Sequence, residues 1–367
     1  MGKALRIGVD ARPLREKKAG IGRYVEEMVN ALSQRGEVEL VLFSNRNVVL
    51  DEQVRGKVTI VEDKKWKYLP GTLWYLLRIP GLIQRYGIEI FWGTQHALPF
   101  TKPRGCFYVV TWHDLVYAFY PETMSWYNRL VSLLVVKRTL AVADSIVAVS
   151  ETTKRDLLEH HPFVPSSKVS VIYEGKSLPD ETSVTFSQQY TPYLFLLGSL
   201  EPRKNILSVL EAFRFIKEKR PDLKLVITGG RGWKKTALQN AVDRHPYRQD
   251  IVFTGYVSDE TIVDLFKSCE AFLFPSLYEG FGLPLLEAEE KCPVIVNDIP
   301  VFRELGRFFE NLFFCDFSED SERVADDIFF ILSGNPARLL LRGEYREIFT
   351  WEYAAQKMVQ VLGMKGQ

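Results

Sequence analysis

The sequence is poor in the residues that would chelate a metal or staple a fold. It holds four cysteines and five histidines in 367 residues. Cys106, Cys269, Cys292 and Cys315 lie far apart, with no CxxC pair and no neighbouring histidine, so they read as reduced, mostly buried thiols. No two aspartates stand at i and i+2, which removes the simplest carboxylate pair for a divalent ion. Charge is balanced, with 47 basic against 46 acidic residues and a net charge of +1. That excludes a nucleic-acid binder working by bulk charge. Long apolar runs are missing too. The most apolar stretch, 130–149, carries Lys137, Arg138 and Asp144 and fails as a bilayer span. The first residues run straight into a strand-like segment, with no signal-peptide core, so a cytoplasmic protein is expected. Internal repeats and low-complexity tracts are absent.

What remains is an ordinary globular composition, 46% hydrophobic and 25% charged, on a chain too long for one common domain. Apolar β-like runs at 5–10, 38–43, 88–92, 107–112, 145–149 and 168–173 alternate with stretches of helical period, the first from about 23 to 34. A polar segment, 176–191, has no clear period and reads as a linker. Runs at 193–197, 223–228, 251–254, 271–274, 294–296 and 312–314 then repeat the alternation. A terminal helix is expected over 350–362, with Trp351, Ala354, Ala355, Met358 and Leu362 on one face. The pattern predicts an α/β protein of two successive parallel-sheet sandwiches: 1–178, 179–347, and a terminal helix at 348–367 packing back on the first.

Chemistry concentrates in the second half. Glu279 and Glu287 flank Gly280-Phe281-Gly282-Leu283-Pro284, directly after the strand at 271–274. Glycines admit a ligand close to the backbone, Pro284 suits a first helical turn, and two carboxylates can accept sugar and ribose hydroxyls. The plainer alternative has Glu279 complementing a helix end and Glu287 solvated like Glu289 and Glu290 beside it. Ser199 opens a second loop, at the end of the strand 193–197, in which Arg203 and Lys204 precede another helix. Paired cations at a helix start can stabilise a diphosphate leaving group. An ordinary solvated loop is the alternative.

In the first half, Gly20 and Gly22 are placed before the first helix. The third glycine of a dinucleotide fingerprint is absent, Val25 standing at its position, so NAD or FAD binding is rejected. His113 and Asp114 follow a strand, and His113 could equally be a core or capping histidine. Residues 64–87 hold five basic and five Trp or Tyr residues and no acid. That suits a surface on anionic lipid, although Pro70 and Pro80 should limit any helix there to about nine residues. Packing of Leu73, Trp74, Leu76 and Leu77 on the core is the other reading.

These blocks resemble glycosyltransferase family 4, retaining enzymes of the GT-B type. Glu279 and Glu287 match its E-x7-E signature, and Gly198 to Asn205 (GSLEPRKN) is similar to its donor-phosphate loop. The segments GVDARPL, AGIGRY, WHDLVYAFYPE, AVSETTKRDL, VSVIYEG, VFTGYVSDE and PVIVNDIPVFRE extend the resemblance over nearly the whole chain. The resemblance implies two Rossmann-like domains facing a cleft, the first binding acceptor and the second nucleotide-sugar. It implies that Arg203 and Lys204 hold the diphosphate and that Glu279 meets the donor sugar. Glu287 would take the ribose, Tyr256 and Val257 the base, and the Phe281-Gly282-Leu283 backbone would line sugar and phosphate. His113 would approach the transferred sugar, and Gly20 and Gly22 would form a loop against the substrate. No metal cofactor is implied.

Two positions depart from the family: Ser199 stands where many members have Arg, and Glu174 where many have Asn. The wording of the motifs is most similar to bacterial mannosyltransferases of surface polysaccharide synthesis. That favours GDP-mannose as donor and a polyprenyl-diphosphate-linked or saccharide acceptor, with a UDP-hexose such as UDP-glucose as the alternative. A sugar-nucleotide epimerase and a non-catalytic sugar-nucleotide-binding subunit are the rivals from other classes.

Overall fold

The computed structural model describes residues 4–15, 20–123, 135–230 and 235–363, with 235 and 236 as backbone alone. The chain divides into two units, 1–175 with 347–367, and 176–346.

In the first unit, seven strands form one sheet: β1 (Leu5–Asp10), β2 (Val38–Ser44), β3 (Thr59–Glu62), β4 (Ile90–Gly93), β5 (Phe107–Trp112), β6 (Ser145–Ala148) and β7 (Val169–Val171). Their order is β3-β2-β1-β4-β5-β6-β7, and every pairing is parallel. The central strands are buried along their length, Ile7, Val9, Ile90, Val109 and Val110 at 0% exposure, as expected where helices cover both faces. Strand order reverses between β1 and β4, which opens a crevice at their carboxyl ends. Strand β3 was not evident in the sequence: its residues are only half-buried and lie at the sheet edge. Part of the apolar stretch, 130–134, lies outside the described residues.

Two expectations are corrected here. Gly20 and Gly22 do not precede the first helix. They occupy its first turn, because the helix runs Gly20–Ser33. The segment after Pro70 forms a helix of fifteen residues, Gly71–Arg85, with Pro80 inside it. Proline at that position costs the bond to the carbonyl four residues back. Here the Leu76 carbonyl is satisfied from outside, by the Phe100 N–H at 3.3 Å. Trp74, Tyr75, Leu76 and Ile79 face the core, while Leu73 and Leu77 are 39% and 57% exposed, so the segment serves both core and surface.

The terminal helix, Trp351–Gly363, belongs to this unit and lies against Gly20–Ser33. It buries Trp351, Ala354, Ala355, Met358 and Leu362, the face its sequence pattern marks. The Trp351 ring meets Tyr24 edge to face at 5.7 Å.

The second unit repeats the plan with six parallel strands: β8 (Tyr193–Leu197), β9 (Lys224–Thr228), β10 (Ile251–Gly255), β11 (Ala271–Phe274), β12 (Val294–Asn297) and β14 (Leu312–Cys315), ordered β10-β9-β8-β11-β12-β14. A short antiparallel pair, β13 (Phe309–Glu310) and β15 (Leu340–Leu341), stands apart. The order reverses between β8 and β11, so the crevice of this unit opens beside Gly198 and Pro275. All four cysteines are unpaired and buried.

Candidate active site

Strand ends at the β8/β11 reversal bring the two sequence-derived loops together. A short 3-10 turn, Pro202–Lys204, carries both cations just ahead of the helix Ile206–Lys219. The loop after β11 carries Glu279. Arg203 Nη1 donates to Glu279 Oε2 at 3.1 Å and to the Tyr278 carbonyl at 3.3 Å, while its Nε donates to Glu201 at 3.1 Å. Lys204 Nζ binds the other oxygen of Glu279. The side chains of Arg203, Lys204 and Glu279 are 15%, 13% and 10% exposed, so the solvated-loop alternative does not hold.

Electrostatics fix the charge states. Burial alone would raise the Glu279 carboxyl, but Lys204 and Arg203 outweigh it and bring it down to about 2. Burial lowers the Lys204 amine, helped by Arg203 and opposed by Glu279. Two cations thus face two carboxylates, Glu279 shared by both and Glu201 held by Arg203. Beside Lys204, at the strand ends, is a cavity of about 10 Å³, lined also by Gly198, Ser199, Phe274, Pro275 and Ser276 among others. It holds roughly one water molecule. Ser276 is buried, its hydroxyl directed to Glu279 and helping to hold that carboxyl down, while its carbonyl accepts from Asn297 Nδ2 at 3.1 Å.

Glycine is required where these loops meet. A Cβ on Gly229, at φ +151°, would lie 1.8 Å from the Gly198 carbonyl oxygen. Gly282, at φ +110°, caps the five-residue helix Leu283–Glu287, with Pro284 in its first turn. A Cβ there would meet the Phe302 ring at 3.0 Å.

Other sequence-derived residues stand further out. Phe281 is 4% exposed, which leaves its backbone rather than its ring for a ligand. Glu287 is 5% exposed and Glu289 7%, which corrects the reading of both as solvated. Glu289 accepts from Lys176 at 3.1 Å and from the Leu341 N–H at 3.4 Å. Glu290 alone of the three is open, pairing with Arg346 at 2.7 Å. Tyr256 is 62% exposed and, with Val257, follows β10 at the sheet edge, outside the cavity wall.

In the first unit, His113 is 7% exposed and held at both ends by the loop after β4. Its Nε2 lies 2.9 Å from the Thr94 carbonyl. A carbonyl can only accept, so Nε2 carries the proton. Its Nδ1 faces Glu174 at 3.8 Å, and Tyr24 packs edge to face on the ring at 4.8 Å. Sequence reasoning missed His96. Its Nε2 accepts the backbone N–H groups of His113 and Asp114 at 2.8 and 3.2 Å, and burial pushes its pKa down to about 4. A lone histidine after a strand carries no signal of that role. Among the described residues, no three His, Cys, Asp or Glu side chains gather as a metal site.

Comparison with known proteins decides the family. The model described as Glycosyltransferase Family 4 matches residues 19–178, and that described as Glycosyl transferases group 1 matches 181–347. The chain belongs to the family 4, group 1 glycosyltransferases. It is 27% identical over 329 residues to O-antigen chain mannosyltransferase B of Escherichia coli, covering 82% of this chain and 84% of that one. Among solved structures it is similar to sucrose-phosphate synthase from Thermosynechococcus elongatus, with a TM-score of 0.75, 19% identity and 98% of each chain covered. A second is Anabaena Alr3699/HepE in complex with UDP and glucose, with a TM-score of 0.71, 15% identity and 98% and 99% covered. These likenesses show the GT-B fold in this glycosyltransferase.

Proposed function

We propose that this glycosyltransferase is a retaining, metal-independent hexosyltransferase that moves mannose from GDP-mannose to a lipid-linked or saccharide acceptor in surface polysaccharide synthesis. The observation that carries the reading is the pair Arg203 and Lys204, both anchored on Glu279 at the β8/β11 crevice. In this geometry Glu279 occupies the cations as a nucleotide diphosphate would. Binding exchanges one carboxylate for a pyrophosphate and frees Glu279 to accept hydroxyls of the donor sugar. Gly198, Gly229 and Gly282 keep backbone rather than side chains at the crevice, and Glu287 takes the ribose.

The reaction is a front-face displacement. The bond from the anomeric carbon to the diphosphate oxygen breaks, and Arg203 and Lys204 stabilise the departing charge. An oxocarbenium-like sugar accepts the incoming hydroxyl on the same face, and the leaving phosphate oxygen takes the hydroxyl proton. No enzymic base is needed.

The mannosyl donor is favoured by the O-antigen mannosyltransferase relative. A UDP-hexose is the second reading, favoured by the UDP and glucose of the HepE complex. Thermal-shift titration with GDP, UDP and ADP in EDTA, followed by transfer assays with GDP-mannose and UDP-glucose, separates the two, because stabilisation follows affinity. Stabilisation by GDP with mannosyl transfer is expected. Stabilisation by UDP alone would replace the donor, and dependence on Mg²⁺ or Mn²⁺ would contradict the metal-free mechanism.

The surface of the first unit supports a peripheral membrane position. Trp66, Tyr68, Leu73 and Leu77 are exposed beside Lys64, Lys65 and Lys67, a combination suited to an anionic lipid surface. Among the described residues, no helix is long and apolar enough to cross a membrane.

A further inference from the structure

We propose that the first unit carries a glycosyl-phosphate site at the carboxyl ends of β1 and β2, formed by Arg15, Arg46, Asn45 and the N-terminus of the helix Gly71–Arg85. Its ligand is the diphosphate and first sugar of a lipid-linked acceptor, so the inference deepens the acceptor reading above and rests on it. Arg12 prepares the site without being free to bind. Its Nε and Nη2 hold both oxygens of the buried Asp10 at 2.8 and 2.7 Å. Its Nη1 donates to the Gly71 carbonyl at 3.4 Å, and its guanidinium covers the Tyr75 ring at 3.8 Å. That neutral pair welds the end of β1 to the start of the helix.

Arg15 and Arg46 are different. Arg15 Nε donates to the Arg12 carbonyl at 2.9 Å, and among the described residues neither Arg15 nor Arg46 has a carboxylate partner. The two are close enough to repel: burial, then Arg46 and then Arg12 lower the Arg15 pKa, opposed by Asp10. Three arginines around the single carboxylate of Asp10 leave a positive excess that an anion would relieve. The fifteen-residue helix beside them adds to the same field. Its N-cap is Pro70, no side chain caps it, and its first turn holds no acid, so its N–H groups and positive dipole end remain available to an anion.

Asn45 supplies the independent observation. It is 0% exposed. Its Nδ2 donates to the carbonyls of Trp66 and Leu69 at 3.4 and 3.3 Å, yet its Oδ1 has no partner. From the point where a Cβ of Gly71 would stand, Asn45 Oδ1 is 3.8 Å away and Arg15 Nη2 3.9 Å. The cation and the orphan acceptor thus converge on one spot at the helix start. A bare phosphate would satisfy the arginines and the helix but leaves Oδ1 without a donor. A sugar attached to that phosphate brings hydroxyls that donate to it. Asn45 also fixes the loop that exposes Trp66 and Tyr68, where the lipid chain would begin.

The test uses the whole protein saturated with nucleoside diphosphate, so that the second unit's crevice is filled. A hexosyl farnesyl diphosphate is titrated into wild type, R15A/R46A and R15K/R46K, with melting curves confirming that each is folded. The double alanine variant should weaken binding by about tenfold or more, the lysine variant should recover most of it, and a phosphate-free alkyl hexoside should bind all three alike. Equal affinity of wild type and R15A/R46A for the diphosphate probe overturns the proposal. Vesicles of anionic phospholipid without the diphosphate form the second arm. If the arginines matter only there, they serve a phospholipid headgroup and the acceptor assignment falls. Arginine-dependent binding of the probe with no sugar transferred to it would uphold the site while ending the transferase reading of this acceptor.

Discussion

At the residue scale, function depends on which charges are buried together. Arg203 and Lys204 share one carboxylate and face one crevice, so removing either leaves Glu279 with a single cation and a bound diphosphate with half its support. R203A or K204A should lower turnover by about 10²-fold or more, measured as steady-state transfer. Near-normal rates in either variant would contradict their role. The protonation of His96 gives a second prediction. Its folded pKa, about 4, lies below the ordinary imidazole value near 6.5. The unfolded chain therefore binds more protons between those values, and stability falls as pH drops from about 6.5 toward 4. H96Q, which keeps an acceptor but does not titrate, should flatten that part of a melting-temperature profile. An unchanged slope would show that His96 does not hold the His113 backbone in its neutral form. That Glu279, Arg203 and Lys204 lie together was legible in the sequence, because both loops follow strands expected to be neighbours in one parallel sheet. The burial of Glu287 and Glu289 was not, since burial is set by whatever packs over a residue from elsewhere in the chain. His96 was invisible for the same reason: its partners are backbone groups seventeen and eighteen residues away.

At the element scale, the strand–loop–helix alternation fixed most boundaries, and the errors have physical causes. The first helix starts at Gly20 rather than near Arg23, because glycine is a poor helix former whose position in a first turn the apolar period does not reveal. The helix Gly71–Arg85 survives Pro80 because Phe100 supplies the donor that proline cannot take up. Its exposed face predicts that vesicles of anionic phospholipid sediment the protein, whereas neutral vesicles do not. A protein that ignores anionic vesicles would remove the membrane position. The β8 and β9 loops make a stricter demand. G229A drives a methyl into the Gly198 carbonyl at a φ that alanine resists, and should cost about 2 kcal/mol or more, read as a lower melting temperature together with lost nucleotide stabilisation. A variant as stable and as nucleotide-responsive as wild type would show that the two loops part freely.

At the scale of the whole molecule, one sheet plan is used twice. Both sheets place strand order in reverse at the same topological position, and both gather polar residues there: Asp10, Arg12 and the Thr94–His96 loop in one unit, Ser199, Lys204 and Ser276 in the other. The sequence shows two alternating halves and a helix that returns, but the order of strands within each sheet comes from the pairing alone. The proposed chemistry divides along the same line, with donor phosphate in the second unit and the acceptor's phosphate in the first.

The central claim is that Arg203 and Lys204 hold the donor pyrophosphate without a divalent ion. A crystal structure of the protein with a nucleoside diphosphate, grown in the presence of magnesium, tests it most directly. The account predicts pyrophosphate oxygens on the Arg203 guanidinium and Lys204 amine, with Glu279 turned away from both cations. Pyrophosphate bound elsewhere, or held through a magnesium ion on carboxylates, would contradict it.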